Sequence, residues 1–333
     1  MENRLRELVT ESRQNRGAPS EKEIAEILSE EFGRAVTKNA VHGKIWRNDI
    51  FTSLAPTTHM PLYTKYKDSI HDCKISNDLT DLDLSGKKKI LHLSDLHVPF
   101  HNRSALESAV NMHATADILV VSEIADMSSQ SSFVDLDSIP LHVEIEEIIN
   151  VLEFLSKSFK TIVVIESNHD FRLARRFAKA LPEELQLLVD EFNIIQLLSR
   201  PFNNIFVVRN WWVQIGDAIF CHGSKASSVS MKTVCELDYY FKDNFSDLGV
   251  RIPYGVIVQA HTHHLGVVYK PRLKLFESGM MCQLREWYTN KPTKTQWVTG
   301  CVVVEMLDGV SILNKCREYV FDSESESYTK SVW

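Results

Sequence analysis

Seven side chains suited to hard divalent cations recur along this 333-residue chain: Asp95 and His97, Glu123, Asn168, His222, then His261 and His263. Each group closes a short apolar run, at residues 90–93, 118–121, 161–165, 218–221 and 256–258. Carboxylate, amide oxygen and imidazole together suit Mn, Fe or Zn, and a set without thiolates speaks against a structural zinc knot. Two ions about 3.5–4 Å apart need a carboxylate between them, and Glu123, alone at its strand end, is the candidate bridge. Such a pair acidifies a water and neutralises phosphoryl oxygens, which is the chemistry of phosphoester hydrolysis.

Those groups need a scaffold. Short β-branched runs that break into polar loops are typical of α/β proteins, where ligands gather beyond the strand ends. The stretch 143–158 has Ile145, Ile148, Ile149, Leu152 and Leu155 on one side of a helix, and further helices are predicted at 171–176 and 234–241. After Asn204 the pattern predicts strands at 205–209, 212–215, 218–221, 256–259, 265–269, 297–305 and 310–314. Two facing sheets with helices outside account for this order, an α/β fold in four αββα layers. No internal repeat is visible.

The first 52 residues read as a separate all-α module. Ser20 and Glu23 form a capping box, Ile24, Leu28 and Phe32 follow at helical spacing, and Gly33 closes the helix. A second start at Thr37 carries Val41 and Ile45 on one face, leaving Lys38, Asn39, Lys44 and Arg47 for the other. Two short helices about a glycine turn make a helix-turn-helix candidate for DNA; a helical hairpin with solvated charges is the plainer alternative. Residues 53–88 read as a linker in which Leu82 and Leu84 could form an edge strand, 89–320 as the main domain, and 321–333 as a mobile tail.

Composition sets bounds. A net charge of −7 gives no broad basic surface for nucleic acid, although two divalent ions would add four positive charges where a phosphate sits. No apolar stretch approaches the ~20 residues of a membrane span and no signal pattern opens the chain, so the expectation is a soluble, cytoplasmic protein with no membrane partner. Six cysteines without a C-x-x-C pair are expected to be reduced thiols. Oligomeric state is open, a homo-oligomer included.

The five groups resemble the motifs of the calcineurin-like metallophosphoesterases. The family's D-x-H is Asp95-Leu96-His97, its G-D-x-x-D is Ser122-Glu123-Ile124-Ala125-Asp126, and its G-N-H-D/E is Ser167-Asn168-His169-Asp170. Its H-G is His222-Gly223 and its G-H-x-H is Ala260-His261-Thr262-His263. The resemblance spans residues 90–316. It implies a metallophosphoesterase sandwich in which Asp95, His97 and His263 hold one ion, Asn168, His222 and His261 the other, and Glu123 bridges. It also implies that His169 faces the substrate and protonates the leaving oxygen, with Asp126 orienting its ring. Arg172 and Arg175, just after that loop, could hold a phosphate oxygen or be ordinary surface or ion-pair charges.

Four departures stand out. Ser122, Ser167 and Ala260 replace family glycines, and Glu123 replaces an aspartate, moving the carboxylate outward by roughly one bond length unless the backbone recedes. Either the strand end shifts to let a glutamate bridge, or one metal site is weak. His92, His101 and His264 match no ligand position. Trp211 and Trp212 could stack on bases, although one of them is expected in the core.

The expected cofactors are two divalent ions, manganese first, with Fe, Zn, Ni or Mg as alternatives. The expected activity is a nuclease or phosphodiesterase acting on DNA brought in by the N-terminal module. The alternatives are a phosphatase or cyclic- or small-nucleotide phosphodiesterase, and a DNA-binding regulator with a catalytically degraded domain. The pairing of modules resembles proteins of tailed bacteriophages, implying a phage enzyme in bacterial cytoplasm.

Overall fold

A computed structural model of the chain describes residues 4–5, 7–8, 21–33, 35–37, 41, 79, 82–127, 139–180, 192–223, 225, 227–283 and 297–330. The chain divides into two compact units, Met1–Asp68 and Ser69–Trp333. Among the described residues, no helix is long and apolar enough to cross a membrane.

In the first unit, helix α1 (Glu21–Phe32) ends at Gly33, whose φ of +61° is the left-handed stop that glycine supplies freely. Ile24 and Leu28 are buried with Leu5, Leu8 and Val41 in a small core. Phe32, expected on the same face, is exposed. Lys38, Asn39, Lys44 and Arg47 lie outside the described residues, as does most of the expected linker.

The second unit is built on two sheets. The strands are β1 (Lys87–Ser94), β2 (Ile118–Ser122), β3 (Ile162–Ile165), β4 (Ile205–Val208), β5 (Trp212–Ile215), β6 (Ala218–Cys221), β7 (Val256–Gln259), β8 (Leu265–Lys270), β9 (Leu273–Ser278), β10 (Gly300–Leu307), β11 (Val310–Ser311), β12 (Arg317–Asp322) and β13 (Ser327–Lys330). The first sheet runs β13-β12-β10-β1-β2-β3-β4, with β11 on β10; the second runs β5-β6-β7-β9-β8. β1 through β4 are mutually parallel, as are β6, β7 and β9.

Strands buried on both faces read as unbroken apolar runs, and the two-residue period then sorts their side chains. Ile90, Val120, Val163 and Ile165 meet Val213, Phe220, Val258 and Phe276 of the second sheet, forming the core between sheets. Leu91, Leu93, Leu119, Val121 and Val164 face outward, against helices α2 (Arg103–Met112), α3 (Leu141–Ser158) and α5 (Ile194–Ser199), and Leu173 of α4 (Phe171–Ala180) joins this core. On the far side, Val234 and Phe241 of α6 (Lys232–Asp243) pack on Ile219, Ile257 and Leu275; a short α7 (Phe245–Leu248) follows. The layers are therefore α/β/β/α, as the sequence pattern predicts. Each fully buried aliphatic side chain in these cores contributes about 1.5–3 kcal/mol.

Several expectations are corrected. β1 starts at Lys87, because pairing of Lys87–Lys89 with Leu307–Glu305 of β10 extends it beyond its apolar run. Leu82 and Leu84 form no strand; they pack against the core between the sheets. Residues 321–330 are not a tail: β12 ends at Asp322 and β13 pairs with it, burying Phe321 and Tyr328, while 331–333 lie outside the described residues. Tyr328 also donates its hydroxyl to the Ala105 carbonyl at 3.1 Å, which ties β13 to α2.

Candidate metal centre

Strand register gathers the ligands. Ser94 is level with Ser122, and Ser122 with Ile165, so Asp95, Glu123 and Asn168 emerge from adjacent parallel strand ends. In the other sheet Cys221 is level with Gln259, which places His222 and His261 side by side. The first two loops remain laced together: Leu96 N–H donates to the Glu123 carbonyl at 3.1 Å, and Asp126 N–H to the Val98 carbonyl at 3.0 Å. β1 lies between β2 and β10, so the chain leaves on one side and returns on the other, the topological setting in which α/β proteins place their sites.

Five of the seven ligand candidates have left-handed backbone: Asp95 (φ 52°), His97 (48°), Glu123 (68°), His261 (77°) and His263 (60°). Non-glycine residues held there cost of order 1–3 kcal/mol each and cluster where function requires a sharp turn. Here they curl the chain just past each strand end, bringing Asp95 with His97, and His261 with His263, into one cluster.

Within it, ligand atoms of Asp95, Glu123, His222 and His261 lie within 4.8 Å of one another, and so do those of His97, Glu123 and His169. Glu123 belongs to both groups. Its Oε2 is 2.6 Å from His222 Nε2 and its Oε1 is 3.0 Å from His97 Nδ1. Asp95 accepts from the His261 backbone N–H at 3.0 Å and stands 3.3 Å from His263 Nε2. His97 Nε2 and His263 Nε2 face each other at 3.2 Å.

The donor set fits a metal centre. Glu123 and Asp95 are fully buried, where an ionised carboxylate is costly unless matched by positive charge. Both Glu123 oxygens, Asn168 Oδ1, both His222 nitrogens and His263 Nδ1 are buried without a hydrogen-bond partner among the described residues. Carboxylate and imidazole atoms crowded within 4.8 Å of one another are what divalent ions satisfy.

Charge balance gives the same reading. Burial opposes ionisation of Glu123, yet His169 and His97 hold its carboxyl well below the usual range. Burial likewise opposes charge on His97, but Glu123 and Asp126 push it up to about 9; Asp95 and Glu123 push His222 up to about 10. Burial and the neighbouring His222 push His261 down to about 4. The carboxylates thus attract positive charge, and cations that coordinate these imidazoles displace their protons.

Around this cluster the contacts differ from the expected ones. Asp126 Oδ1 accepts from His97 Nδ1 at 3.0 Å, while His169 Nδ1 stands at 3.5 Å, so Asp126 orients the ligand His97 more directly than His169. His169 Nδ1 turns to Glu123 Oε1. Arg172 reaches His169 Nε2 at 2.7 Å and donates to the Asp126 carbonyl at 2.6 Å, contacts that fix this loop. Arg175 lines a cleft beside Asn168.

The glycine replacements are absorbed locally. Ser122 Oγ pairs with His92 Nε2 at 2.8 Å, and His92 Nδ1 with Ser278 Oγ at 2.7 Å, a buried chain linking the sheets. Ser167 Oγ accepts from the His169 N–H at 3.2 Å and shapes the turn that carries Asn168. His101 and His264 are buried and belong to none of the ligand groups; His101 bridges Cys282 through its backbone, and His264 stands 3.4 Å from Glu277.

Other neighbours carried no sequence signal. Cys282 groups with His97 and His263 because Met281 N–H bonds the Ser94 carbonyl at 2.9 Å, a contact 187 positions apart in the chain. Burial, with Asp95 and Glu123 nearby, raises its thiol pKa well above the ordinary value. Trp297 lies 4.2 Å, centroid to centroid, from His263. Trp212 is buried in the core, as expected of one of the pair, while half-buried Trp211 stacks on Phe241 and borders the cleft.

No family profile and no curated protein matches the sequence. Among solved structures, the chain is similar to an archaeal phosphodiesterase (13% identity, 74% of this chain and 99% of that one, TM-score 0.35). It is also similar to Vacuolar Protein Sorting 29 from Cryptosporidium parvum (14%, 74% and 97%, 0.41) and to Vps29 complexed with zinc from Entamoeba histolytica (11%, 73% and 97%, 0.39). Likeness this distant assigns no chemistry, which rests on the side chains described above.

Proposed function

We propose that this chain is a calcineurin-like metallophosphoesterase that hydrolyses phosphodiesters, DNA first among them, with two divalent ions. The observation that carries the reading is the position of Glu123: one buried carboxylate reaches His222 with one oxygen and His97 with the other, joining two ligand groups. Asp95, His97 and His263 would hold one ion and Asn168, His222 and His261 the other, manganese being the first candidate. When bound, such ions supply Lewis acidity, an acidified water and neutralisation of phosphoryl oxygens.

The chain's own residues do the rest. Asp126 fixes the His97 ring by its hydrogen bond. Arg172 donates to His169 Nε2, which leaves the ring's proton on Nδ1, inside the ligand cluster against Glu123 Oε1; that N–H is the proton we assign to the leaving oxygen, delivered when the ring turns from the carboxylate toward a bound ester. A diester has two flanks, and the cluster opens on two sides: a narrow cavity beside His97, His263 and Trp297, and a broad cleft beside Asn168 and His222. This arrangement favours diesters over monoesters. The N-terminal module would present the DNA, and a phage enzyme in bacterial cytoplasm fits that pairing.

The test is a substrate panel of bis(4-nitrophenyl) phosphate, 4-nitrophenyl phosphate and linear and plasmid DNA, run with Mn, Fe, Zn, Ni and Mg. Metal content is measured in parallel. Two ions per chain and preferential diester cleavage are expected. Purified protein that neither takes up metal nor cleaves any ester would overturn the proposal.

A further inference from the structure

The cleft beside Asn168 and His222 has a volume of ≈ 590 Å³, and beyond those two ligand candidates its lining has no part in the hydrolytic chemistry. That volume lies in the range that encloses a small ligand of nucleotide size. Three kinds of group meet in it. Trp211 offers an indole already backed by Phe241 at 5.6 Å and 17°, a rigid platform for a further ring. Arg175, Arg209 and Lys225 line it together with Glu166 and Glu236, three cationic side chains against two carboxylates in a chain whose net charge is −7.

The third group is Gln259. It is fully buried at the end of β7, yet neither its Oε1 nor its Nε2 has a hydrogen-bond partner among the described residues. Leaving both ends of a buried amide unmatched costs about 1–3 kcal/mol for each group, so this side chain is built to meet something. Gly223 leaves the space above it open: a Cβ at that position would stand 3.8 Å from Gln259 Nε2. An amide presents a donor beside an acceptor, the complement of a nucleobase edge, adenine's N6 and N7 for example.

We infer that this cleft is a nucleoside pocket: a base stacks at Trp211 and is read by the Gln259 amide, while the phosphate attached to it reaches the Asn168–His222 side of the metal centre. The inference rests on the phosphoesterase reading for the placement of the phosphate, but base binding is measurable without turnover. The nucleoside belongs either to a free nucleotide or to the end of a strand, and both present the same base, sugar and phosphate.

The experiment is calorimetric titration of manganese-loaded protein with AMP and with ribose 5-phosphate, and of metal-free protein with adenosine and with ribose. AMP is expected to bind at least about tenfold more tightly than ribose 5-phosphate, as base stacking is worth roughly five- to hundredfold. Adenosine is expected to bind where ribose does not. The AMP to ribose 5-phosphate ratio should fall toward one in Trp211→Ala and drop several-fold in Gln259→Leu, so the second variant decides if the first fails to fold. Equal affinities in the wild type, or ratios untouched by both substitutions, would overturn the pocket. Hydrolysis without base preference sinks the pocket alone, whereas adenosine binding in an inert protein sinks the phosphoesterase reading alone. Competition by a linear single-stranded oligonucleotide, but not a circular one, assigns the nucleoside to a strand end; no competition by either assigns it to a free nucleotide.

Discussion

Asp126 Oδ1 lies 3.0 Å from His97 Nδ1, and the same imidazole turns its Nε2 toward His263 Nε2, 3.2 Å away. The carboxylate therefore fixes which nitrogen of His97 is left for a metal. Outer carboxylates of this kind orient a ligand and raise its basicity, and losing one typically costs 10–100-fold in metal affinity or activity. Asp126→Asn is accordingly expected to weaken manganese binding by about tenfold or more at one of two sites, measured by calorimetry. Unchanged affinity at both sites would mean that Asp126 serves His169 or nothing at the centre.

Glu123 spans rather than caps. Its two oxygens address His222 and His97 separately, from a backbone held in the left-handed region at φ 68°. Shortening the side chain in Glu123→Asp pulls the carboxylate back by roughly one bond length, about 1.5 Å, with the loop unchanged. Metal stoichiometry is expected to fall from two to one, with loss of hydrolysis of about a hundredfold. Two ions and full activity in Glu123→Asp would show that the glutamate is not required for bridging.

Arg172 offers a sharper distinction. Its guanidinium sits 2.7 Å from His169 Nε2 and 2.6 Å from the Asp126 carbonyl. If it holds His169 in place, Arg172→Met lowers kcat by about tenfold or more while KM for a diester and metal occupancy change little. A residue that binds the substrate phosphate would instead raise KM. Steady-state kinetics on bis(4-nitrophenyl) phosphate separates the two.

What was legible in the sequence follows from what is local. Ligands at strand ends are readable because an apolar run and the polar residue after it are neighbours in the chain, and β1, β2, β3, β6 and β7 all obey that rule. Partnerships made across the fold were not readable. Asp126 lies 29 positions from His97 and 43 from His169, separations that do not say which it meets, and only the loop pairing through Val98 and Ala125 decides between them. β13 was hidden because its four residues, Ser327 to Lys330, follow a Ser- and Glu-rich turn and look like a solvated tail until Tyr328 finds its place against α2. Cys282 and Gln259 become functional candidates only through what packs beside them.

Metal removal should show in stability. Seven ligand candidates on five strand ends join both sheets, so an ion binding only the folded state stabilises by about 2.7 kcal/mol at a hundredfold excess over Kd. For a domain of this size that corresponds to a rise of roughly 5–10 °C in melting temperature. Saturating manganese is expected to produce it, and EDTA to reverse it, in a thermal shift measurement. A melting temperature indifferent to divalent metals would argue against any closed site.

The wall of the cleft has its own support. Asp238, fully buried on α6, accepts from the Tyr254 hydroxyl at 2.9 Å, from Lys242 Nζ at 2.9 Å and from Lys270 Nζ at 2.8 Å, tying α6 to β8 and to the loop before β7. Burial opposes ionisation of this carboxyl, but hydrogen bonds from Lys270, Lys242 and Tyr254 hold its pKa below the ordinary value. A group depressed in the folded state contributes stability that is present above its unfolded pKa of about 3.9 and is lost as pH falls through the folded value. Asp238→Asn removes both the charge and that dependence. Urea unfolding is expected to show a loss of about 1–3 kcal/mol at pH 7, narrowing as pH drops below about 4, where the wild type forfeits the same contribution. Because α6 carries Leu237 and Tyr240 of the cleft, the variant should also bind AMP more weakly at pH 7. A penalty that stays constant from pH 7 to pH 3 would show that the three donors do not act through the ionised carboxylate.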